Sequence, residues 1–212
     1  MHRRVPTEWK LAIPTNVSTV AETGNSMSEL IPRLGFEELP EELQVLLEAR
    51  VKRLGYLGEF FQCFAHQPEA LIHFQKFNES AKEGLPQSVV PVIVLTVGIQ
   101  MDARYELNQF ERLSIRQGKS LEWVQEVERC DTDNTTLLSE REKIVQRYIL
   151  KAVQSRGHDC KAELDSLISE LGHERAVSVL FVLARYYGHS IMVNSIGLRP
   201  PVDSIFDDGF SG

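Results

Sequence analysis

The segment VVPVIVLTV, residues 89–97, decides the fold class of this chain, because a buried strand competes there with a helix. Its β-branched residues favour a strand, and a short apolar run has no period that settles the choice. Pro91 argues against a central strand, since proline removes a hydrogen-bond donor from the ladder. In the first turns of a helix that begins near Pro86, the missing donor costs much less. On the residues alone, both conformations stay open.

Residues that are typical of helix starts and helix ends occur along the remainder of the chain. Residues 41–54 are acidic in the first turn and basic in the last, with Pro40 before them and Gly55 after them. This polarity complements the helix dipole. Ser139 and Glu142 form a capping box at the start of a later helix.

These signals predict a series of helices and require no strand. The expected helices are 41–54, 58–66, 68–84, 105–117, one capped by Ser120, one opened by Ser139, one capped by Asp159 and running to 168, and a long one over 171–196. We expect the polar residues 1–28 to form an arm, residues 29–198 to form the helical domain and residues 199–212 to form a non-helical tail.

Charge and hydropathy limit the partners of the protein. The net charge is −7 over 212 residues. Nucleic acid or an anionic membrane would require a basic face, so neither partner is expected. The longest uncharged stretch, residues 84–101, is too short and too interrupted by polar residues and prolines to span a bilayer. We therefore expect a cytoplasmic protein.

The number and spacing of the cysteines favour reduced thiols and indicate no cofactor site. The chain has three cysteines, Cys63, Cys130 and Cys160, and none forms a C-x-x-C pair. Cys63, His66 and His73 are the only set with spacing that resembles a metal or thiolate site, and metal sites usually bring more ligands. We expect no metal and no cofactor.

Four segments resemble the carboxymuconolactone decarboxylase superfamily, which includes alkylhydroperoxidase D. Their order and spacing carry the resemblance more than any single motif. The segments are 53–71 (RLGYLGEFFQCFAHQPEAL), 82–120, 137–153 and 170–198. The resemblance implies an all-α, alkylhydroperoxidase-D-like helical bundle, which makes residues 89–97 a helix. It also implies a homo-oligomer, either a dimer, a trimer or a hexamer.

The resemblance also implies where chemistry should occur. Peroxidase members carry a Glu, then Cys-x-x-Cys, then a His four residues after the second cysteine. The matching positions here are Pro91, Ala103, Glu106 and Phe110. Alanine and a carboxylate cannot form a disulfide, so the resemblance excludes dithiol peroxidase chemistry at this place.

Members without cysteines often read Tyr-Glu-Trp-x-x-His, and here Tyr105 and Glu106 match this pattern while Phe110 replaces the His. The nearest other histidines are His66 and His189, and the sequence places neither of them beside Glu106. An apolar pocket is expected to raise the pKa of Glu106 towards that of a general base. The candidate catalytic residues are Glu106 and His66. The candidate substrate-binding residues are Arg104, Tyr105, Phe110 and Tyr187.

Three functional hypotheses follow from the resemblance. The first is a divergent lyase-like enzyme that acts on a small organic acid or lactone by proton transfer or decarboxylation, with Arg104 or Arg185 holding a carboxylate. The second is a non-catalytic oligomeric or ligand-binding protein. The weakest is a thiol-dependent peroxidase using Cys63 or Cys130. A polar, water-filled pocket holding Glu106 would favour the first. A cavity filled by Phe110, or tight pairing of Glu106 with Arg104 or another basic group, would favour the second.

Overall fold

The computed structural model describes residues 30–207 and residue 210, so the expected polar arm lies outside the described residues. Within them the chain forms α-helices, one short 3-10 helix at Phe36–Glu38 and no strand, which confirms the all-α prediction. The helices are α1 (Glu41–Leu54), α2 (Glu59–Phe64), α3 (Pro68–Lys82), α4 (Val89–Gln100), α5 (Arg104–Arg116), α6 (Leu121–Arg129), α7 (Glu140–Gln154), α8 (Lys161–Leu171) and α9 (His173–Ser195).

Helix α4 is the centre of the bundle, and it contains the segment that the residues alone left undecided. It packs against α5, α6, α7 and α9. Most of its residues are buried, including Pro91. A helix that is apolar on all sides is stable only inside a protein, which explains its uniform composition. Pro91 lies in the first turn, where the backbone N–H groups have no partner within the helix.

The turn between α4 and α5 sets the position of Glu106. A Cβ atom at Gly98 would lie 3.1 Å from Cδ1 of Leu107, so glycine permits the close approach of the two helices. Asp102 takes a φ of 47°, and the Ala103 N–H donates to the Gly98 carbonyl at 2.9 Å. Helix α5 therefore begins directly beside the end of α4, with Glu106 in its first turn.

Three of the expected helix caps can be compared with the structure. The Ser120 hydroxyl accepts from a backbone N–H of α6, and Ser139 and Glu142 form both halves of the capping box of α7. The cap expected at Asp159 is wrong, because α8 begins after Cys160. Asp159 instead takes a φ of 55° within the α7–α8 turn, a left-handed conformation that aspartate tolerates better than most residues.

Helix α9 has two apolar faces. The buried face carries Arg185 and His189 among its apolar residues. The opposite face is exposed, with Val177, Phe181 and Ile191 each about half exposed. By length and composition α9 is the one helix in the described part of the chain that would be able to cross a membrane, a criterion that core helices of folded domains also meet.

The residues after α9 run back along α5. The Asn108 side-chain amide donates to the Val202 carbonyl at 2.9 Å. The buried Glu111 carboxylate accepts from the Ser204 hydroxyl at 2.6 Å and from the Ile205 N–H at 2.8 Å. These contacts hold the C-terminal segment against the same helix that carries Glu106.

Candidate active site

Two helices bring together a buried carboxylate, an imidazole and a guanidinium. Oε1 of Glu106 on α5 lies 3.0 Å from Nδ1 of His189 on α9. It also lies 3.8 Å from Nη1 of Arg185, one turn earlier on α9. All three side chains are at least nine-tenths buried. The short contact with Nδ1 is not aligned as a hydrogen bond, and Nε and Nη1 of Arg185 have no hydrogen-bond partner among the described residues.

The charges of this cluster depend on one another. Burial alone would raise the pKa of the Glu106 carboxyl, but His189, Arg185 and Arg50 outweigh it and lower that pKa well below its usual range. Burial lowers the pKa of His189, although Glu106 opposes this effect. A neutral ring cannot also act as the cation that lowers the pKa of Glu106. We therefore assign an ionised Glu106 beside a neutral His189, with Arg185 and Arg50 supplying the positive charge.

This result contradicts the expectation of a raised pKa for Glu106. That expectation counted desolvation by an apolar pocket and did not include Arg185 or His189, whose place on the buried face of α9 was not foreseen. The position of Glu106 in the first turn of α5 also favours its anion through the helix dipole.

Aromatic rings surround the cluster and hold it in place. The Phe60 ring of α2 lies 4.2 Å from the His189 ring, measured between centroids. The Arg185 guanidinium lies 4.9 Å from the centre of the Phe74 ring and 4.2 Å from that of Tyr186. Such cation–π contacts stabilise a guanidinium that has few hydrogen-bond partners.

A small recess opens beside the cluster. It has room of about 20 Å³, enough for about one water molecule. Its lining is mixed polar and apolar and comprises Arg50, Leu54, Tyr56, Gly58, Phe60, Phe61, Tyr105, Glu106, Gln109, Arg185, His189 and Pro201. The half-buried residues of this lining form the more exposed wall of the recess, and they are Arg50, Leu54, Tyr56, Gly58, Gln109 and Pro201. A ligand larger than water would have to displace side chains of this wall.

Of the residues expected at the site, Tyr105 and Glu106 line the recess. The Tyr105 hydroxyl accepts from the Phe60 N–H at 3.2 Å and so ties α5 to α2. His66 is exposed, and its Nε2 lies 2.8 Å from the Pro32 carbonyl oxygen. It does not line the recess.

The other expected substrate-binding residues lie elsewhere. Arg104 is largely exposed and lies 3.7 Å from the Asp102 carboxylate. Phe110 packs edge-on against Tyr186, with centroids 5.4 Å apart, and does not fill the recess. Tyr187 lines a separate cavity of about 380 Å³ between α7 and α9.

The sequence did not indicate that His189 and Arg50 belong to this site, and it did not indicate that Arg185 is buried. One signal was present, because Arg185 and His189 are four residues apart and must share one face of a helix. The sequence does not show that this face is buried, because the opposite face carries Val177, Phe181 and Ile191, which the structure leaves about half exposed.

Two of the three thiols, those of Cys63 and Cys130, lie in environments that disfavour the thiolate. All three cysteines are free. Burial raises the pKa of Cys63, and burial also raises that of Cys130 to about 11. In the described part of the chain no group of three or more His, Cys, Asp or Glu side chains is arranged to hold a metal ion.

The fold is shared with solved structures of low sequence identity. An alkylhydroperoxidase AhpD core structure, an uncharacterised peroxidase-related protein from Ralstonia eutropha JMP134, matches at a TM-score of 0.69 and 20% identity, over 80% of this chain and 90% of that chain. The debrominase Bmp8 in complex with 2,3,4-tribromopyrrole matches at 0.71 and 16% identity, over 82% and 93%. A peroxidase-related protein from Silicibacter sp. TM1040 matches at 0.65 and 16% identity, over 76% and 86%.

No protein-family model and no curated protein sequence matches this chain. The chain therefore has the alkylhydroperoxidase-D-like fold that the resemblance implied, and at these identities the likeness extends to the fold alone.

Proposed function

We propose that this protein is an enzyme of alkylhydroperoxidase-D-like fold that acts on a small organic acid or lactone by proton transfer or decarboxylation. The observation that carries the proposal is the contact of 3.0 Å between Glu106 and His189 in a buried recess. A carboxylate this close to one ring nitrogen favours a proton on that nitrogen and stabilises the protonated form of the imidazole. The other ring nitrogen is then available to exchange a proton with a substrate.

The proton steps balance without an oxidant or a reductant. In proton transfer, the free nitrogen of His189 takes a proton from a carbon next to a carbonyl group, the electron pair moves onto the carbonyl oxygen, and the proton later returns to carbon. In decarboxylation, carbon dioxide leaves and its bonding electrons form the same kind of enolate. His189 first takes a proton from solvent at its free nitrogen and then gives that proton to the enolate carbon. Glu106 stays ionised throughout and stabilises the imidazolium.

The cationic groups favour an acidic substrate. Arg50 lines the recess, and the unpaired Nε and Nη1 of Arg185 are donors that a carboxylate or an enolate would satisfy. Binding requires the half-buried wall of the recess to open, because the closed recess holds only about one water.

Exchange in heavy water tests the proposal. The protein is incubated with a panel of keto acids, unsaturated dicarboxylic acids and lactones, and loss of carbon-bound hydrogen and release of carbon dioxide are followed by NMR. We expect one class of compound to react, and Glu106→Gln to slow that reaction by about 10²- to 10⁴-fold, the usual contribution of general acid–base catalysis. Panel-wide inactivity, or full activity in Glu106→Gln, contradicts the proposal.

The small recess and the pairing of Glu106 with Arg185 support a second candidate, a non-catalytic protein in which Glu106, Arg185 and His189 only stabilise the bundle. On this alternative no compound of the panel reacts. Replacement of all three residues by apolar ones would then leave the protein folded, because well-packed apolar groups often replace a buried ion pair without loss of stability.

A further inference from the structure

A groove between α1 and α3 is a second candidate binding site, distinct from the recess. Its volume is about 600 Å³, within the range of small-molecule sites. It is lined by Leu46, Leu47, Ala49, Arg50 and Arg53 from α1 and by Gln75, Lys76 and Glu79 from α3. Arg50 also lines the recess that holds Glu106, so the groove and the recess meet at this side chain.

The groove is positively charged in a protein whose net charge is −7. It presents three cations and one carboxylate. Among the described residues, neither Arg50 nor Arg53 has a carboxylate within ion-pairing distance, and the Arg50 guanidinium instead stacks 4.8 Å from the centre of the Phe61 ring. Lys76 is the cation that is already paired, at 3.7 Å from the exposed Glu42.

The single carboxylate of the groove is engaged by its neighbours. Glu79 is largely exposed at the rim, accepts from the Asn78 side-chain amide at 2.6 Å and lies 3.9 Å from Lys82. Its charge is therefore partly balanced before any ligand arrives.

A buried donor without a partner points to a ligand. Gln75 lines the groove and is 7% exposed, and its Nε2 is buried without a hydrogen-bond partner among the described residues. A buried donor without a hydrogen-bond partner destabilises a protein, and a ligand that accepts from it removes this cost. A ligand oxygen that pairs with Arg50 would accept from this amide once the Gln75 side chain turns towards the groove.

We propose that this groove binds an organic carboxylate with an apolar body, with its anionic end at Arg50 and Gln75 and its apolar part along Leu46, Leu47 and Ala49. Leu46 is 37% exposed, and such an occupant would cover it. A bidentate guanidinium–carboxylate pair gives specificity for the anion, and the leucines give specificity for the apolar body. This proposal concerns binding alone and does not depend on the proton-transfer reaction.

Calorimetric titration of the full chain with octanoate tests this proposal. Octanol supplies the apolar body without the charge, and inorganic phosphate supplies the charge without the apolar body. We expect one octanoate per chain and at least about tenfold weaker binding of the other two, which corresponds to a loss of about 1.4 kcal/mol. Added salt should weaken octanoate binding, since the groove is open to solvent.

Variants locate the ligand. Arg50→Gln should weaken octanoate binding at least about tenfold, and Gln75→Met, which keeps the length and removes the donor, should weaken it several-fold. The matched control is Arg156→Gln, because Arg156 lines a separate cavity, the one beside Tyr187. Arg156→Gln should bind as the wild type does.

Each contrary outcome overturns the proposal. These outcomes are absence of octanoate binding to the wild type, equal binding of octanol, or a loss in Arg156→Gln without a loss in Arg50→Gln. Thermal unfolding is recorded for each variant. If Arg50→Gln does not fold, Arg53→Gln takes its place, and wild-type affinity in that variant and in Gln75→Met counts against the site.

Discussion

Glu106 and His189 lie on different helices, yet Oε1 of the first and Nδ1 of the second are 3.0 Å apart inside the bundle. Residues 105–110 resemble the pattern of family members without cysteines, but Phe110 stands where that pattern has a histidine. An imidazole nevertheless contacts the retained glutamate, and α9 supplies it. The loss of the histidine from α5 therefore does not leave Glu106 without a histidine partner.

The buried ion pair makes a prediction about stability. Glu106→Gln should lower the free energy of unfolding by about 3 to 5 kcal/mol, because it leaves the Arg185 guanidinium buried without a carboxylate. Addition of Arg185→Met to this variant should restore part of the loss. Urea unfolding at neutral pH measures both changes. The exposed pair of Glu48 and Lys52 provides the control, since Glu48→Gln should cost at most about 1 kcal/mol. Equal losses of unfolding free energy in Glu106→Gln and Glu48→Gln would show that the buried ion pair stabilises the protein no more than the exposed one.

Glu128 gives the protein a pH dependence of stability. Burial raises the pKa of Glu128 to about 8, with Glu111 adding to the effect and Arg104 opposing it. A carboxyl with a higher pKa in the folded chain than in the unfolded chain binds more protons when folded. Stability should therefore decline as the pH rises from the ordinary value of 4.5 to about 8.

Glu128→Gln should flatten this decline and should be more stable than the wild type at the alkaline end. Urea midpoints between about pH 5 and about pH 9 test the prediction. Glu69→Gln, at an exposed position on α3, should keep the wild-type slope. A slope that survives in Glu128→Gln would assign the pH dependence to another group.

The protein should lack dithiol peroxidase activity. Ala103 and Glu106 stand where the resemblance places the two cysteines, and the raised pKa values of Cys63 and Cys130 disfavour a reactive thiolate at either. Hydroperoxide reduction with a dithiol donor measures this. Turnover comparable to that of a protein with Cys-x-x-Cys would contradict this prediction. Loss of that turnover in Cys63→Ser or Cys130→Ser would support a thiol-dependent peroxidase.

The exposed face of α9 predicts a homo-oligomer with a second copy of the chain. Its residues Val177, Phe181, Ala184, Gly188 and Ile191 are separated by alternating steps of four and three, which is the spacing of a helix–helix seam. The small residues at its centre would let a second helix approach closely. None of the five is charged, and leaving such a stripe in water is unfavourable.

Light scattering tests this prediction. The wild type should give a multiple of 24.1 kDa, and Phe181→Glu should give about the mass of one chain. The control is Val45→Glu, which adds the same charge at an exposed apolar position on α1. A wild-type mass near 24.1 kDa across micromolar concentrations refutes the oligomer.

Local signals in the sequence were sufficient for most helix boundaries, because caps and breakers act within a few residues. Ser120, Ser139 and Gly55 each mark a boundary in the structure. The conformation of α4 was not determined by local signals, since an apolar run suits either a strand or a buried helix. Asp159 shows the limit of cap reasoning, because a turn with left-handed residues displaced the start of α8.

The candidate site was only half predictable for a similar reason. Tyr105 and Glu106 belong to one motif, and their positions follow from one helix. The place of His189 depends on which face of α9 is buried, and α9 has apolar residues on both faces. Only the packing of α9 against α3 and α4 selects the face with Arg185 and His189.

The comparison of two histidine variants tests the central claim most directly. His189→Gln and His66→Gln each remove one imidazole, but only the first changes the contact with Glu106. Exchange of substrate hydrogen in heavy water is measured for both, with the compound that reacts with the wild type. We predict a loss of about 10²- to 10⁴-fold in His189→Gln and a rate near that of the wild type in His66→Gln. Full activity in His189→Gln, with a loss in His66→Gln, would contradict the account.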